Sequence, residues 1–210
     1  EKGDLIFRTN DGSDGTSPTE RLRIDSSGSI VPATLGTSNV KFGLNAGSNI
    51  ASGGNYNTVI GEEAGNDITT GDYNTAVGYK AGEKITTGSQ NAIFGGLAGE
   101  DLTVGENNVA LGQQTLRNDT KGSRSVAVGL NALENQNFTS ATDVYNTAVG
   151  ALAGGAITTG KQNTLIGGAS GDAMTTALDN VAVGYLSMSA LTDADYNVAV
   201  GKGALSDDTQ

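Results

Sequence analysis

Carboxylates are the only side chains abundant enough here to suggest acid–base or metal chemistry. The 210 residues include 23 Asp and Glu, but no His and no Cys. A Ser-His-Asp triad in its usual form and thiolate chemistry are therefore excluded. A pair of carboxylates could still hydrolyse a glycosidic bond. However, the acidic residues lie mostly in turns beside Gly, Asn or Thr, not in apolar segments that would raise a pKa. We expect a non-enzyme without catalytic residues, and keep a polysaccharide depolymerase as a less favoured alternative.

Calcium is the other chemistry that carboxylates could support. Asp193 and Asp195, and the pair Asp207 and Asp208, offer oxygen ligands near the C-terminal end. Neither cluster has the spacing of a calcium-binding loop, and the glycine- and aspartate-rich nonapeptide of calcium-binding β-rolls is missing. We expect no cofactor and no metal-ligating residues, with calcium left open.

Charge limits the partners. The net charge is −11, and the 12 Lys and Arg residues are dispersed along the chain. Nucleic-acid binders need clustered cations that displace counterions from phosphates, so a nucleic-acid partner is excluded. No apolar run approaches the roughly 20 residues of a membrane-spanning helix, so we also expect no membrane insertion.

The elements that position these residues belong to a repeat. A short apolar run ends in Gly ten times, and successive glycines are 18, 17, 17, 17, 17, 21, 17, 17 and 17 residues apart. These glycines are Gly43, Gly61, Gly78, Gly95, Gly112, Gly129, Gly150, Gly167, Gly184 and Gly201. Seventeen residues are too few for a strand, a helix and their turns, and the Gly and Thr content disfavours a helix. The pattern predicts an all-β solenoid, a β-roll or β-helix, with ten 17-residue coils over residues 39–210.

The first 38 residues do not follow this period. Leu5–Thr9 and Arg21–Asp25 are predicted strands, joined by a loop of Gly, Asp, Ser and Pro and followed by a turn at Ser26–Gly28. We interpret residues 1–38 as an N-terminal β connecting module.

Nine of the ten runs begin with Asn, and Ser125 replaces it in the remaining one. Identical Asn side chains stacked in register can form a hydrogen-bonded ladder. The predicted ladder comprises Asn57, Asn74, Asn91, Asn108, Asn146, Asn163, Asn180 and Asn197.

Alternation within each run suggests which face is inside. The second and fourth positions carry bulk, as in Val109 and Leu111, and lie on one face of the strand. The third position is usually Ala. We expect the bulky face to fill the coil and the Ala column to face a second copy of the chain. The predicted trimer-interface residues are Ala76, Ala110, Ala127, Ala148, Ala182 and Ala199.

Candidate receptor contacts are aromatic residues and the one insertion. The interval of 21 between Gly129 and Gly150 places extra residues near Asn135–Thr139, where Asn137 and Phe138 could contact a ligand. Phe138 could instead fold back over the coil, which we favour. Tyr79 and Tyr185 are further candidates. Four more tyrosines precede the motif Asn and could pack at a corner, which we favour, or stack on a glycan: Tyr56, Tyr73, Tyr145 and Tyr196.

The repeat resembles a known family. Ser125-Val-Ala-Val-Gly129 and Asn180-Val-Ala-Val-Gly184 are similar to the head repeat of trimeric autotransporter adhesins. Asn74-Thr-Ala-Val-Gly-Tyr-Lys-Ala-Gly82 resembles repeats of bacteriophage tail fibres, as does the segment Glu20–Gly28. The resemblance covers most of the chain, but the period is longer than in the autotransporter heads and no heptad stalk or membrane anchor is present, which favours the phage fibre.

The resemblance implies a parallel homotrimer in a virion tail fibre, or else on a cell surface or secreted. It also implies other fibre or virion proteins as partners and attachment to a host cell-surface glycan or protein. We therefore expect a structural and adhesive fibre segment. The alternatives are a glycan-binding or an ice-binding solenoid, the latter suggested by Thr-Thr pairs that begin at Thr69, Thr86, Thr158 and Thr175. Adjacent Thr side chains in a strand would point to opposite sides, which counts against ice binding.

Overall fold

A computed structural model describes residues 3–9, 19–24, 26, 30–32 and 38–207. These residues contain strands and turns and no α-helix. Near the N-terminus, β1 (Leu5–Thr9), β2 (Thr19–Ile24) and β3 (Ile30–Pro32) form an antiparallel sheet in the order β1-β2-β3. The strands β1 and β2 agree with the sequence-based expectation, whereas β3 was not expected. The predicted loop between β1 and β2 lies outside the described residues, as do Gly28 and Ser27 of the predicted turn.

Ten three-residue strands form the main sheet, and they coincide with the ten apolar runs. They pair in parallel, without a shift of register, in chain order from β4 to β15. Their bounds are β4 Val40–Phe42, β5 Thr58–Ile60, β6 Thr75–Val77, β7 Ala92–Phe94, β8 Val109–Leu111, β10 Val126–Val128, β12 Thr147–Val149, β13 Thr164–Ile166, β14 Val181–Val183 and β15 Val198–Val200. The remaining strands, β9 (Gly122–Ser123) and β11 (Thr142–Asp143), form a two-stranded parallel sheet. The predicted all-β parallel solenoid is confirmed, with about nine coils of about 17 residues. This sheet follows the predicted boundary at residue 38, and the antiparallel sheet precedes it; the boundary itself stays a prediction.

Each strand ends at a motif glycine, and at nine of these ten glycines a Cβ would meet backbone of the next coil. Gly95 has a φ of 137°, and a Cβ on it would lie 2.4 Å from the carbonyl oxygen of Gly112 in the next coil. The same contact recurs at Gly61, Gly78, Gly112, Gly150 and their neighbours along the stack. A left-handed conformation combined with backbone contact between coils therefore requires glycine at this corner.

The interior is filled by one residue from each strand and two from the following turn. The central strand residue is buried in nine of the ten strands, and Lys41 in β4 is half-buried. Opposite it lie a small residue such as Ala64 and a larger one such as Ile68, both 0 % exposed. The expectation that the Ala column faces outward is therefore wrong. The predicted interface residues Ala76, Ala110, Ala127, Ala148, Ala182 and Ala199 are at most 3 % exposed and line the inside of the coil.

The interior is narrow, and this explains why Ala is so common at the strand centre. Where the centre is large, as in Val59, the fourth residue after the motif glycine is another glycine, Gly65, whose added Cβ would lie 2.6 Å from the Val59 side chain. Where the centre is Ala110, the equivalent residue is Leu116, which is buried despite a left-handed φ of 48°. In these coils a large residue on one wall therefore faces a small residue on the other, which keeps the packing dense.

The predicted Asn ladder is present. Asn91 Nδ2 donates to Asn74 Oδ1 (3.0 Å) and to the carbonyl oxygen of Gly105 (2.9 Å), while Asn91 Oδ1 accepts the backbone N–H of Asn108 at 3.0 Å. Asn57, Asn74, Asn108, Asn146, Asn163 and Asn180 are also buried, and Asn197 continues the ladder as a partly exposed member. These side chains satisfy backbone groups that water cannot reach.

Ser125 interrupts the ladder, and a polar cluster in the interior repairs the gap. Gln136 Oε1 accepts a hydrogen bond from Asn146 Nδ2 at 2.9 Å, while Gln136 Nε2 donates to Asp119 Oδ2 at 2.5 Å and to Ser125 Oγ at 3.1 Å. Asp119 and Gln136 occupy positions that Ile85 and Leu102 fill in the preceding coils. The cluster therefore replaces part of the apolar core at the coil where the ladder loses an amide.

Candidate functional site

The outward face of the ten-stranded sheet carries no charge. Each strand presents its first and third residues to the outside, and all of them are Val, Ile, Leu, Phe, Thr or Ala. We call these positions the outer face. They include Phe94 and Leu111, which are 40 % and 36 % exposed in the middle of the stack. The outer face is thus an uncharged and mostly apolar strip that includes residues of every coil.

The outer face comprises the second and fourth positions of each run, whose bulky side chains we expected inside the coil. That expectation is wrong. Alternation alone separates the two faces of a strand but does not identify the inner one when both are apolar. One signal in the sequence could have decided it. In several coils the size of the central strand residue is inversely related to the size of the fourth residue after the motif glycine, as Ile93 with Gly99 and Ala110 with Leu116 illustrate. Such compensation indicates that the two positions share the interior.

A second exposed column lies at the corner just before the strands. Its members are the residues that precede the motif Asn, and we call them the corner column. Tyr56 and Tyr73 stack there with ring centroids 4.9 Å apart and an interplanar angle of 11°. Tyr145 and Tyr196 occupy the same column and, like the first two, are exposed with a left-handed backbone. Tyr56 and Tyr73 thus stack on each other, Tyr145 lies beside Arg124 and Asp143, and none of the four tyrosines is buried under the coil.

The predicted receptor contacts have different environments. Tyr79 and Tyr185 are each about half exposed, and the Nζ atoms of Lys80 and Lys202 lie 5.8 and 6.0 Å from the respective ring centroids. Asn137 is exposed, but Phe138 is buried against the coil. The favoured interpretation, that Phe138 folds back over the coil, is confirmed, and the alternative of a surface contact is wrong. Phe138 N–H donates to Asp119 Oδ1, and the Phe138 carbonyl accepts the Thr120 hydroxyl.

The insertion follows Phe138 instead of surrounding it. Gln136 keeps the interior position of a regular coil, and Val144 N–H donates to the Ser123 carbonyl as the chain rejoins the stack. The extra residues lie between Phe138 and Val144, where β11 pairs with β9. The insertion is thus held to the solenoid at both ends.

Charged residues lie mainly in the turns that follow the motif glycine, where opposite charges pair between coils. Lys80 Nζ lies 3.0 Å from Glu63 Oε2 in the preceding coil, and Arg117 Nε lies 2.8 Å from Glu100 Oε2. The hydrogen bonds that Lys80 Nζ donates to Glu63 and Glu83 raise the pKa of Lys80, which keeps this side chain positively charged. The charges therefore lie away from the outer face.

The candidate calcium ligands do not converge. Asp195 Oδ1 accepts the backbone N–H of Leu178 at 2.7 Å, and Asp193 accepts the Thr192 hydroxyl. Asp207 is exposed, and Asp208 lies outside the described residues. In the part of the chain that the structure describes, no three His, Cys, Asp or Glu residues form a group that could hold a metal ion.

Two further observations bear on the alternatives. The hydroxyl of the first Thr in the Thr-Thr pairs donates to a carbonyl of the next coil, as Thr69 does to Thr86 at 3.1 Å, so this hydroxyl is engaged within the solenoid. Among the described residues there is also no helix whose length and apolar character would allow it to cross a membrane.

Comparison with known proteins gives no assignment: no family model, no curated protein and no solved structure matches this chain. The outer face and the corner column are the exposed surfaces of the solenoid that could bind a partner.

Proposed function

We propose that the chain is a structural and adhesive segment of a trimeric attachment fibre similar to a phage tail fibre. In this proposal it is not an enzyme, it requires no cofactor, and three parallel copies associate through their outer faces. It works outside the cell that makes it, in a virion or on a cell surface, joined to other fibre proteins. It holds or forms a surface that binds a host glycan or protein.

The observation that carries the proposal is the uncharged outer face. Ten strands at a spacing of about 4.8 Å and three residues of about 3.3 Å each give a flat strip of about 45 by 10 Å, or about 450 Å² per chain. The largest apolar patch on a monomeric soluble protein covers about 300–600 Å² and is often functional. Because this strip carries no charge and is aliphatic or aromatic at the third residue of every strand, a monomer would leave these apolar side chains in water.

A second copy of the chain is the occupant that fits the outer face best. The strip repeats at the spacing of the coils, so identical strips placed side by side match along the full length of the rod. A closed cyclic assembly covers the strip in every copy, whereas an open assembly would leave strips exposed at its two ends. The number three rests on the resemblance to trimeric fibre proteins.

The decisive experiment measures the solution mass of the wild-type chain and of two variants by light scattering. We expect three times the 21.1 kDa chain mass for the wild type. Val126→Lys places a charge in the outer face and should give a monomer, because an unpaired charge cannot be buried between apolar strips. Thr87→Lys, on an exposed turn away from the outer face, is the matched control and should stay trimeric. A folded wild-type monomer at high concentration would contradict the proposal.

Ice binding is a second candidate function because the outer face contains regularly spaced Thr residues. Thr58 and Ile60, and Thr75 and Val77, place Thr beside an aliphatic residue on a parallel sheet with regular spacing. Thermal hysteresis of the purified chain tests this alternative. Activity in a monomeric wild type, lost in Thr75→Lys, would favour ice binding over the fibre.

A further inference from the structure

We propose that the insertion builds a carbohydrate-binding subsite on the corner column, formed by Arg124, Asp143 and Tyr145, that takes a pyranose unit of an oligosaccharide. The inference rests on the proposed function, because it names the ligand class that the attachment surface would recognise. It assigns that role to residues distinct from the aromatic candidates Tyr79 and Tyr185.

The three side chains form one connected cluster at the surface. Arg124 Nε lies 2.9 Å from Asp143 Oδ1, and the guanidinium carbon lies 5.9 Å from the centroid of the Tyr145 ring. The Tyr145 hydroxyl lies 3.5 Å from Asp143 Oδ2. Arg124, Asp143 and Tyr145 remain 45 %, 53 % and 53 % exposed. Their polar atoms are therefore close to one another and still open to a ligand.

The backbone beneath the cluster is held on both sides. Asp143 belongs to β11, which pairs with β9 (Gly122–Ser123), the segment directly before Arg124. Arg124 N–H donates to the Glu106 carbonyl, and Gln162 N–H donates to the Val144 carbonyl, so the coils on both sides fix the corner. A subsite on such a rigid support loses little conformational freedom when it binds a ligand.

The insertion is what makes this corner different from the others. Elsewhere in the described solenoid successive motif glycines are 17 or 18 residues apart, and the corner residues Tyr56 and Tyr73 stack on each other. The extra residues between Phe138 and Val144 bring a carboxylate beside an arginine and a tyrosine. An ion pair this exposed contributes little to stability, so folding alone gives a weak reason for it.

The chemistry of the cluster matches a sugar ring. A pyranose offers an apolar face of C–H groups to an aromatic ring and vicinal hydroxyls at its edge. Tyr145 presents an exposed ring, and Arg124 and Asp143 present donors and acceptors side by side that can bond two neighbouring hydroxyls. A phosphate group is disfavoured because Asp143 already neutralises the guanidinium and would repel an anion. A neutral oligosaccharide is therefore the ligand class that fits.

The experiment titrates the chain with three probes: hexasaccharides derived from a glucan, a mannan and a galactan. Binding is followed by saturation-transfer difference NMR and by Tyr fluorescence, which is readable because the chain has six Tyr and no Trp. We expect at least one probe to bind, and Tyr145→Ala and Asp143→Asn each to weaken that binding by about tenfold or more. Tyr196→Ala, a more exposed member of the same corner column without an arginine partner, is the matched control and should retain it.

Two results would overturn the inference: none of the three probes binds, or Tyr145→Ala and Tyr196→Ala reduce binding equally. Light scattering on the same samples separates this outcome from failure of the proposed fibre. Trimers that bind no probe contradict the carbohydrate subsite alone, whereas monomers that bind a probe through Tyr145 contradict the trimer alone. Circular dichroism of each variant establishes that it is folded before its binding is compared.

Discussion

The coils of residues 57–112 and the stretch of residues 119–146 share one strand geometry but differ in their turns. In the first region the interior of the turn is apolar, as at Ile85 and Leu102, and every coil contributes an Asn to the ladder. In the second region Asp119 and Gln136 take those interior positions and Ser125 replaces the Asn. The parallel sheet nevertheless continues without a shift from β8 through β10 to β12.

This difference distinguishes the strand and its motif glycine, which set the repeat period, from the turn, whose residues can vary. The strand and the motif glycine continue unchanged through both regions, whereas the turn accepts polar residues and an insertion once its hydrogen bonds are satisfied again. Gln136 Oε1 accepts the Asn146 amide that an Asn at position 125 would otherwise bind, as Asn146 Oδ1 binds Asn163 in the next coil. The varied turn is also the one that brings Asp143 to the surface beside Arg124.

The largest effect is expected where the two regions are alike. Gly95→Ala and Gly129→Ala should destabilise the fold equally, each by about 3 kcal/mol or more, because the Cβ would meet backbone of the next coil at a left-handed φ. Urea unfolding followed by circular dichroism at one protein concentration measures the free energy of unfolding.

Gly96→Ala is the matched control for this pair. A Cβ on Gly96 would have only the Tyr79 carbonyl oxygen nearby, at 4.0 Å, so the substitution should change stability by less than about 1 kcal/mol. A similar loss in all three variants, or a much smaller loss at Gly129 than at Gly95, would show that the glycine column does not set the period in both regions.

The sequence predicts the shared features better than the varied ones. The period, the ten strands, the glycine corners and the Asn ladder follow from residue types that repeat and whose roles are local: β-branched strands, a left-handed glycine and a stacked amide. The strand face that points into the coil was predicted wrongly because both faces of strands such as β8 are apolar. Compensating pairs such as Ala110 and Leu116 are the signal that identifies the interior face. The cluster of Arg124, Asp143 and Tyr145 could not be predicted, because it depends on where the insertion rejoins the stack.

A medium effect should distinguish the two regions of the ladder. Asn91→Ala leaves the Asn108 N–H and the Gly105 carbonyl without their side-chain partner in the interior, which should cost about 2–4 kcal/mol. Ser125→Ala should cost only about 1 kcal/mol, because Gln136 still binds Asn146 and Asn108 Oδ1 still accepts the backbone N–H of residue 125. Urea unfolding of both variants under the same conditions gives the comparison. Equal losses would mean that the polar cluster does not replace the missing amide.

The smallest effect concerns the charge of Asp119. Burial raises the pKa of this carboxyl above its ordinary value of 3.8, although hydrogen bonds from Gln136, Gly122 and Phe138 partly oppose the shift. The folded chain therefore binds a proton more readily than the unfolded chain, and the contribution of Asp119 to stability decreases as pH rises from 3.8 through the raised pKa. Melting temperatures of the wild type and of Asp119→Asn across this range should diverge in slope, with the wild type losing more stability as pH rises. Since the slope is the readout, the result does not depend on the absolute stability of the variant. Parallel pH profiles would mean that folding does not raise the pKa of Asp119. The two regions of the solenoid would then respond to pH alike.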